Sequence, residues 1–194
     1  MYYLINEWTS DDERLRDDLE QIGIPIQPLQ IENILDFIFS NRKVNSPLHM
    51  TGLSLPPFWE VYANGDIVSN GVRRGRIDCY QDYSQRVKKV EWYSPDDNCS
   101  TCDYYDLSGR LFLKEVWSAN ECHLSVYTND KMGKLHLFHQ HDRALYQTTD
   151  GLEQGFSSIE EAKKALLQEV LLQVETVFLS DPELLKALPK LCLL

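Results

Sequence analysis

The chain has 194 residues, of which 43% are hydrophobic, so it can bury a sizeable core in one domain or in a domain that carries an insertion. Its formal net charge is −11 at pH 7. That charge argues against binding to nucleic acid, which depends on neutralising phosphates with lysines and arginines. It also argues against binding to an anionic membrane surface, where a local basic patch could override the total. Residues 72–76 are a dense basic cluster, for which we predict a solvated turn.

The N-terminal residues and the cysteines indicate the compartment. No apolar run in the sequence approaches the length of a membrane span. Residues 1–7 combine a short apolar stretch with an acid and no basic region, which is unlike a signal peptide. The five cysteines are an odd number without framework spacing, which is typical of a reduced protein. We therefore expect a cytoplasmic protein.

The first 40 residues predict alternating strands and helices. Tyr2–Ile5 predicts a short buried strand, and a helix is expected from Ser10, which begins a capping box, to Gly23. Residues 24–31 form a second extended run whose prolines predict an irregular or edge strand, and a short helix is expected over 31–39. This order is typical of a Rossmann-like layer. No glycine-rich phosphate loop follows the first strand, so nucleotide binding is not predicted here.

Residues 55–151 predict a large inserted antiparallel sheet. The periodicity is near two, and Val90 and Trp92, for example, should share one face of a strand. Polar turns recur at 106–110 and 129–134, each with an aromatic residue before it and a basic residue after its glycine. This spacing is typical of a β-meander. The recurrence indicates either a weak internal repeat or chance spacing of turn residues.

The same region supplies the predicted interaction surface. An open sheet has two edges and two faces, and a small flanking layer can cover only one face. The strand over 110–117 is apolar on both faces, and alternation predicts Phe112 and Val116 on one and Leu111, Leu113 and Trp117 on the other. Aromatic side chains dominate binding energy at interfaces. The predicted partner-interface residues are therefore the large aromatics Trp92, Tyr104, Tyr105, Phe112, Trp117 and Tyr127. The alternative is a sheet that curls and buries both faces itself.

After the sheet the pattern becomes helical again. Ser157 and Glu160 predict a second capping box and a helix to about Glu175. A short buried strand at 176–179 and a last helix with proline at its first position should follow. The apolar end at 191–194 would need covering in a complete domain, so we expect a truncated protein or a fragment.

A cysteine pair is the first candidate for site chemistry. Cys99 and Cys102 form a CxxC pair, and Cys122 with His123 could complete a zinc site. A second CxxC is missing, so free thiols in a strand-connecting turn are the favoured interpretation, and metal binding by these four residues stays open. A redox role would require the cysteine pair to lie at a helix N-terminus in a βαβ unit.

The remaining titratable patterns predict no reaction. His136, His139 and His141 would alternate on a strand, so His136 would point away from the other two and three ligands could not converge. Glutamate pairs with the spacing found in retaining glycosyltransferases recur three times in a glutamate-rich tail, so the pattern is uninformative. We predict no catalytic, cofactor-binding or metal-binding residue.

Three stretches together resemble a known family. They are residues 55–60 (LPPFWE), 90–93 (VEWY) and 103–110 (DYYDLSGR). They resemble the N-terminal part of the co-activator, or glycosyltransferase-stabilising, subunit of a two-component O-linked N-acetylglucosamine transferase. That enzyme is encoded with the accessory Sec system of Gram-positive bacteria. The resemblance extends over residues 1–188.

The resemblance implies an α/β fold in which an extended antiparallel sheet at 55–151 interrupts a partial Rossmann-like domain, half of a GT-B fold, at 1–54 and 152–194. It implies a non-catalytic subunit without a cofactor that pairs with a glycosyltransferase catalytic subunit and stabilises it. It also implies help in binding a serine-rich repeat adhesin for O-glycosylation, in the cytoplasm or at the inner face of the cell membrane. A homo-oligomer through the sheet is a further option. The alternative function is the N-terminal fragment of an active GT-B glycosyltransferase, which donor binding by the isolated chain would favour.

Overall fold

The computed structural model describes residues 2–5, 21, 27–30, 34–40, 46–80, 85–95, 98–171 and 177–179. The chain divides into two compact units, one of residues 1–38 with 160–194 and one of residues 39–159. The elements in chain order are β1 (Tyr2–Ile5), β2 (Gln27–Gln30), α1 (Ile34–Phe39), β3 (Glu60–Val61), β4 (Asp66–Ser69), β5 (Val72–Cys79), β6 (Val87–Tyr93), β7 (Cys99–Tyr105), β8 (Leu111–Ser118), β9 (Glu121–Asn129), β10 (Gly133–Phe138), β11 (Arg143–Gln147), β12 (Glu153–Phe156), α2 (Ile159–Leu171) and β13 (Val177–Leu179).

The smaller unit contains a three-stranded parallel sheet in the order β13–β1–β2. Tyr3 lies opposite Pro28 on one side and Phe178 on the other, so segments from both ends of the chain share one sheet. The proline-containing strand is at the edge, where a missing N–H donor costs no ladder hydrogen bond. Apart from residue 21, which is helical, the predicted helix at 10–23 lies outside the described residues, and so does the predicted helix from residue 180.

Helix α2 begins one residue later than a capping box at Ser157 predicts. Its first residue is Ile159, two residues after Ser157. The backbone N–H of Ile159 donates to Asp142 Oδ1 at 3.1 Å. Asp142 is remote in sequence and lies in the left-handed region with φ 44°. A carboxylate at a helix N-terminus satisfies a donor that has no partner within the helix, which local spacing could not reveal.

The larger unit contains a ten-stranded sheet in which β3 to β12 pair in sequence order. Every pairing in it is antiparallel. The predicted antiparallel sheet is therefore confirmed. It continues past residue 151, because β12 pairs with β11 through Phe156 and Ala144. The sheet edges are the short strands β3 and β12.

The basic cluster at 72–76 is part of strand β5 and not a turn, so that prediction is wrong. The turn comes just before it, at Asn70 and Gly71, with φ of 52° and 74°. Asn-Gly with two positive φ angles is the favoured two-residue hairpin connection, and this dipeptide was the available signal. The guanidinium of Arg73 then lies 4.5 Å from the ring centroid of Tyr93 on the neighbouring strand.

A β-bulge in β8 overturns the predicted alternation over 110–117. Leu113 lies opposite Tyr104, but Leu111 lies opposite Tyr105, so Phe112 is an extra residue without a partner in β7. Residues directly opposite each other share a face, and neighbours along a strand do not. Leu111 and Leu113 are therefore on opposite faces, not on the shared face that regular alternation predicts. Phe112 and Leu113 are both buried.

The hydrophobic core changes face along the sheet. In β4 to β6 the buried cluster contains Ile67, Ile77, Val87 and Val90, against which Trp92 and other side chains pack. The opposite face is buried in β10 to β12, where the core residues are Leu135, Leu137, Ala144, Tyr146 and Phe156. Each half of the sheet therefore leaves a different face uncovered.

The two glycine turns that stand out in the sequence meet at one backbone carbonyl. Arg110 Nη2 donates to the carbonyl oxygen of Phe39 at 2.9 Å, and Asn129 Nδ2 donates to the same oxygen at 3.2 Å. Arg110 Nη1 also contacts Asp130 Oδ2 at 3.2 Å. The Phe39 ring packs on Tyr127 with centroids 5.4 Å apart. These contacts hold Phe39 against the middle of the sheet.

Candidate partner interface

The uncovered face of β8 to β11 carries apolar side chains in two adjacent cross-strand rows. One row runs through Val116, Leu124 and Phe138, and the next runs through Val126, His136 and Leu145. We call these six residues the outer patch. Val116 and Phe138 are each 37% exposed, and the other four are half-buried. Large apolar side chains at neighbouring positions on one exposed face are typical of an interaction site.

The rim of the outer patch carries three basic side chains, with the exposed Glu153 in the row of one of them, although the whole chain is acidic. Lys114, Lys134 and Arg143 are exposed at positions in or beside the same rows. Lys114 Nζ also contacts Asp103 Oδ1 at 3.3 Å. An open groove lined by residues that include Phe138, Arg143 and Gly155 adjoins the patch at edge strand β12. The site can therefore accept a partner with an apolar centre and an acidic border.

His136 is the titratable group inside the outer patch. Its ring stacks on Phe138 with centroids 6.4 Å apart and an interplanar angle of 14°. Burial lowers the pKa of His136, and the charge of Lys134 lowers it further against the opposing effect of Glu153. The imidazole therefore favours its neutral form, which keeps the patch apolar at neutral pH.

The other uncovered face, on β5 to β8, is polar and aromatic. Tyr93 and Lys89 both bond to the Glu91 carboxylate, with the phenol OH donating to Oε2 at 2.8 Å. Tyr104 OH donates to Glu115 Oε2 at 2.9 Å, and Trp117 Nε1 donates to the same oxygen at 3.1 Å. We call Tyr93, Glu91, Tyr104, Glu115 and Trp117 the aromatic–carboxylate row.

Burial and the neighbouring carboxylates together set the protonation of the two tyrosines in the aromatic–carboxylate row. Burial and the hydrogen bond to Glu91 raise the pKa of Tyr93 to about 12. Burial opposes the Glu91 charge, but its hydrogen bonds to Lys89 and Tyr93 outweigh burial and lower its pKa. Burial and the neighbouring Glu115 also raise the pKa of Tyr104. The two tyrosine rings are thus held in place as neutral phenols that donate to the carboxylates of Glu91 and Glu115.

The six predicted interface aromatics do not form one cluster. Tyr104, Trp117 and Tyr127 share the face of the aromatic–carboxylate row, whereas Trp92 and Tyr105 pack against the buried cluster on the opposite face. Trp92 Nε1 donates to Asp103 Oδ2 at 2.8 Å. Phe112 is buried at the bulge. Sequence reasoning missed the outer patch: the alternation of Leu124 and Val126 in β9 is a signal for it, but in β10 the alternating leucines Leu135 and Leu137 lie on the buried face instead.

The predicted zinc and histidine patterns are separated by the structure. Cys99 and Cys102 lie within strand β7, which corrects the predicted strand-connecting turn, and their sulfurs are 3.5 Å apart. Cys122 Sγ instead contacts Ser125 Oγ at 3.6 Å. His139 and His141 lie in a 3₁₀ turn rather than on the predicted strand. Within the described ranges, no three His, Cys, Asp or Glu side chains are placed to hold a metal ion.

A family model for the GtfB middle domain matches residues 59–157, which is half of the chain and nearly all of the ten-stranded sheet. The chain belongs to the GtfB middle-domain family. This GtfB-type sheet carries both uncovered faces described above. No curated protein matches the chain. In the described part of the chain, no helix is long and apolar enough to cross a membrane.

Solved structures share the fold of this GtfB-type chain at low sequence identity. A GtfA/B complex bound to UDP and GlcNAc matches with a TM-score of 0.70 and 17% identity over 93% of this chain and 44% of that chain. The Gap123 glycosylation-associated complex of Streptococcus agalactiae matches with a TM-score of 0.60 and 11% identity over 87% and 36%. Accessory secretory proteins 1, 2 and 3 of Streptococcus pneumoniae match with a TM-score of 0.56 and 11% identity over 84% and 34%. The chain therefore spans less than half of each matched chain.

Proposed function

We propose that this chain is a non-catalytic, GtfB-type module that pairs with a glycosyltransferase catalytic subunit and stabilises it. The observation that carries the proposal is the outer patch, an apolar surface with a basic rim on an otherwise acidic chain. Family membership supports the class of partner, because a related fold occurs in a complex that pairs GtfA with GtfB. Pairing through this patch would cover Val116 and Phe138, which the chain alone leaves exposed.

The aromatic–carboxylate row supports a second part of the proposal, which is binding of the acceptor. A serine-rich repeat polypeptide presents many hydroxyl groups and, once modified, sugars. The carboxylate oxygens of Glu91 and Glu115 can accept hydrogen bonds from such groups, and the rings of Tyr104 and Trp117 offer flat apolar surfaces beside them. Of the six predicted interface aromatics, these two rings and Tyr127 are the ones we assign to this face.

We further propose that the Rossmann-like domain predicted at residues 1–54 and 152–194, half of a GT-B fold, corresponds to the unit of residues 1–38 with 160–194, because residues 153–156 belong to the sheet as β12. The parallel pairing of β1 with β2 and β13 supports this assignment. Such a module would act in the cytoplasm, at or near the inner face of the cell membrane, as part of adhesin O-glycosylation in a Gram-positive bacterium. A homo-oligomer through the sheet would use the same outer patch.

Sedimentation velocity with a GtfA-type glycosyltransferase tests the pairing. Phe138→Ser should weaken association by at least about 1–2 kcal/mol, or roughly tenfold in Kd, because it removes the most exposed ring of the patch. The matched control is Phe58→Ser, which removes a ring that is 92% exposed next to the opposite edge strand β3. Urea unfolding of both variants checks that each stays folded. Equal binding by wild type and both variants would contradict an interface at the outer patch.

Donor binding separates the two classes of function. The isolated chain should give no heat of binding with UDP-GlcNAc and no sugar transfer, since we assign the donor chemistry to the partner. Donor turnover above that of a heat-treated sample would favour the alternative, an N-terminal fragment of an active glycosyltransferase.

A further inference from the structure

The Cys99–Cys102 pair lies on one face of strand β7, and a register shift is the reason. Residues three apart on a regular strand point to opposite faces. Here Tyr93 lies opposite Cys99 and Trp92 lies opposite Thr101, so Ser100 is an extra residue in β7. The shift returns Cys102 to the face of Cys99 and brings the two Sγ atoms to 3.5 Å. Ser100 Oγ donates to the carbonyl oxygen of Trp92 at 3.1 Å, which stabilises the bulge.

The backbone spacing at this bulge suits a disulfide. Cys99 and Cys102 lie opposite Tyr93 and Glu91, two residues that are themselves two positions apart in β6. Two strand residues rise about 6.6 Å. Disulfides bridge Cα atoms up to about 6.8 Å apart. The Cα separation expected from this register is therefore at the upper end of the range that a disulfide bridges, and the two Sγ atoms already lie 3.5 Å apart.

We propose that Cys99 and Cys102 are a redox site that forms a reversible intrastrand disulfide when the chain meets a two-electron oxidant of the peroxide class. This site is independent of the proposed pairing function. It also revises the sequence-based expectation that a redox pair would need a helix N-terminus, because the bulge supplies the proximity instead.

The two thiols have different roles because their exposure differs. Cys102 is buried and Cys99 is half-buried, so an oxidant reaches Cys99 first. Burial and the neighbouring Cys99 raise the pKa of Cys102 to about 12, so Cys102 stays a thiol at neutral pH. Cys99, the more accessible sulfur, therefore fits the attacking position, and Cys102 fits the resolving position.

The reaction balances in two steps. The Cys99 thiolate attacks one oxygen of hydrogen peroxide, the O–O bond breaks, hydroxide leaves, and Cys99 becomes a sulfenic acid. The Cys102 sulfur then displaces the sulfenic oxygen as water, and the S–S bond forms. The two thiols lose two electrons and two protons in total, and peroxide becomes two molecules of water. A dithiol such as dithiothreitol reverses the change.

Mass spectrometry of the full chain tests the proposal. Trypsin should release residues 90–110 as one peptide that contains Cys99 and Cys102 and no other cysteine. After peroxide treatment of the folded protein and blocking of thiols, this peptide should be two hydrogen atoms lighter than its reduced form and should carry no blocking group. Dithiothreitol should restore both reactive thiols. Cys122, which has a hydroxyl and not a sulfur beside it, is the control and should remain blockable.

A trapping experiment distinguishes the two cysteines. In Cys102→Ser, the sulfenic acid of Cys99 should persist and react with dimedone, whereas wild type should give at least about tenfold less adduct because the second thiol condenses with it. Sulfinic acids on the 90–110 peptide, or oxidation of Cys122 as fast as that of the pair, would overturn the proposal. If the Cys102→Ser variant fails to fold, the mass of the oxidised wild-type 90–110 peptide still tests whether the disulfide forms.

Discussion

Replacing Gly109 by alanine is the sharpest test of how the sheet is fixed to the preceding segment. Gly109 has φ +78°, and a Cβ there would lie 2.4 Å from the Leu48 nitrogen and 2.7 Å from the Ser46 carbonyl oxygen. Both contacts are with backbone, so no side-chain rotation relieves them. The left-handed conformation costs an alanine about 1–2 kcal/mol. Overlap with packed atoms adds about 1–3 kcal/mol. We expect Gly109→Ala to lower the free energy of unfolding by about 3 kcal/mol.

Gly71→Ala is the matched control. Gly71 has φ +74°, but a Cβ there meets no atom within 4 Å. It should therefore lose only the conformational part, about 1 kcal/mol. Urea unfolding monitored by tryptophan fluorescence measures both variants, and the difference in free energy between them isolates the steric contact with residues 46–48. Equal losses in the two variants would refute the close approach of the 106–110 turn to that segment.

Three further predictions concern titration and a buried hydrogen bond. The lowered pKa of Glu91 means that its ionised carboxylate stabilises the fold above about pH 4.5, and that this stabilisation is lost as pH falls below that value. The urea midpoints of Glu91→Gln should therefore fall less steeply in acid than those of wild type. Parallel curves for the two proteins would argue against this role of Glu91. The lowered pKa of His136 also makes the folded state less stable as pH falls, but at higher pH, because the unfolded chain takes up protons first below about pH 6.5. His136→Gln should therefore lose less stability than wild type between pH 7.5 and pH 5. Trp92→Phe removes a hydrogen-bond donor from the buried Asp103 carboxylate and should lower the free energy of unfolding in urea by about 2 kcal/mol. The control is Trp59→Phe, in the same cluster, which leaves that hydrogen bond intact and should lower the free energy of unfolding less.

The outer patch shows where prediction from sequence stopped. The aromatic residues of the sheet were visible in the sequence, but burial separated them into core and surface groups. Phe112 is buried at a bulge, while the less conspicuous Phe138 is exposed. Exposure depends on which face the rest of the unit covers, and no single strand carries that information.

The sequence by itself determined the local structure of this protein. Alternating residues in strands such as β6, and the Asn-Gly turn before β5, are enough to specify an antiparallel meander, because strand periodicity and turn conformation depend on neighbouring residues. Only the tertiary structure decided which side chains share a face. One extra residue, at Ser100 or at Phe112, reverses every side chain beyond it, and such a bulge exists only in relation to the strand that pairs with it. The shift at Ser100 is what brings Cys99 beside Cys102.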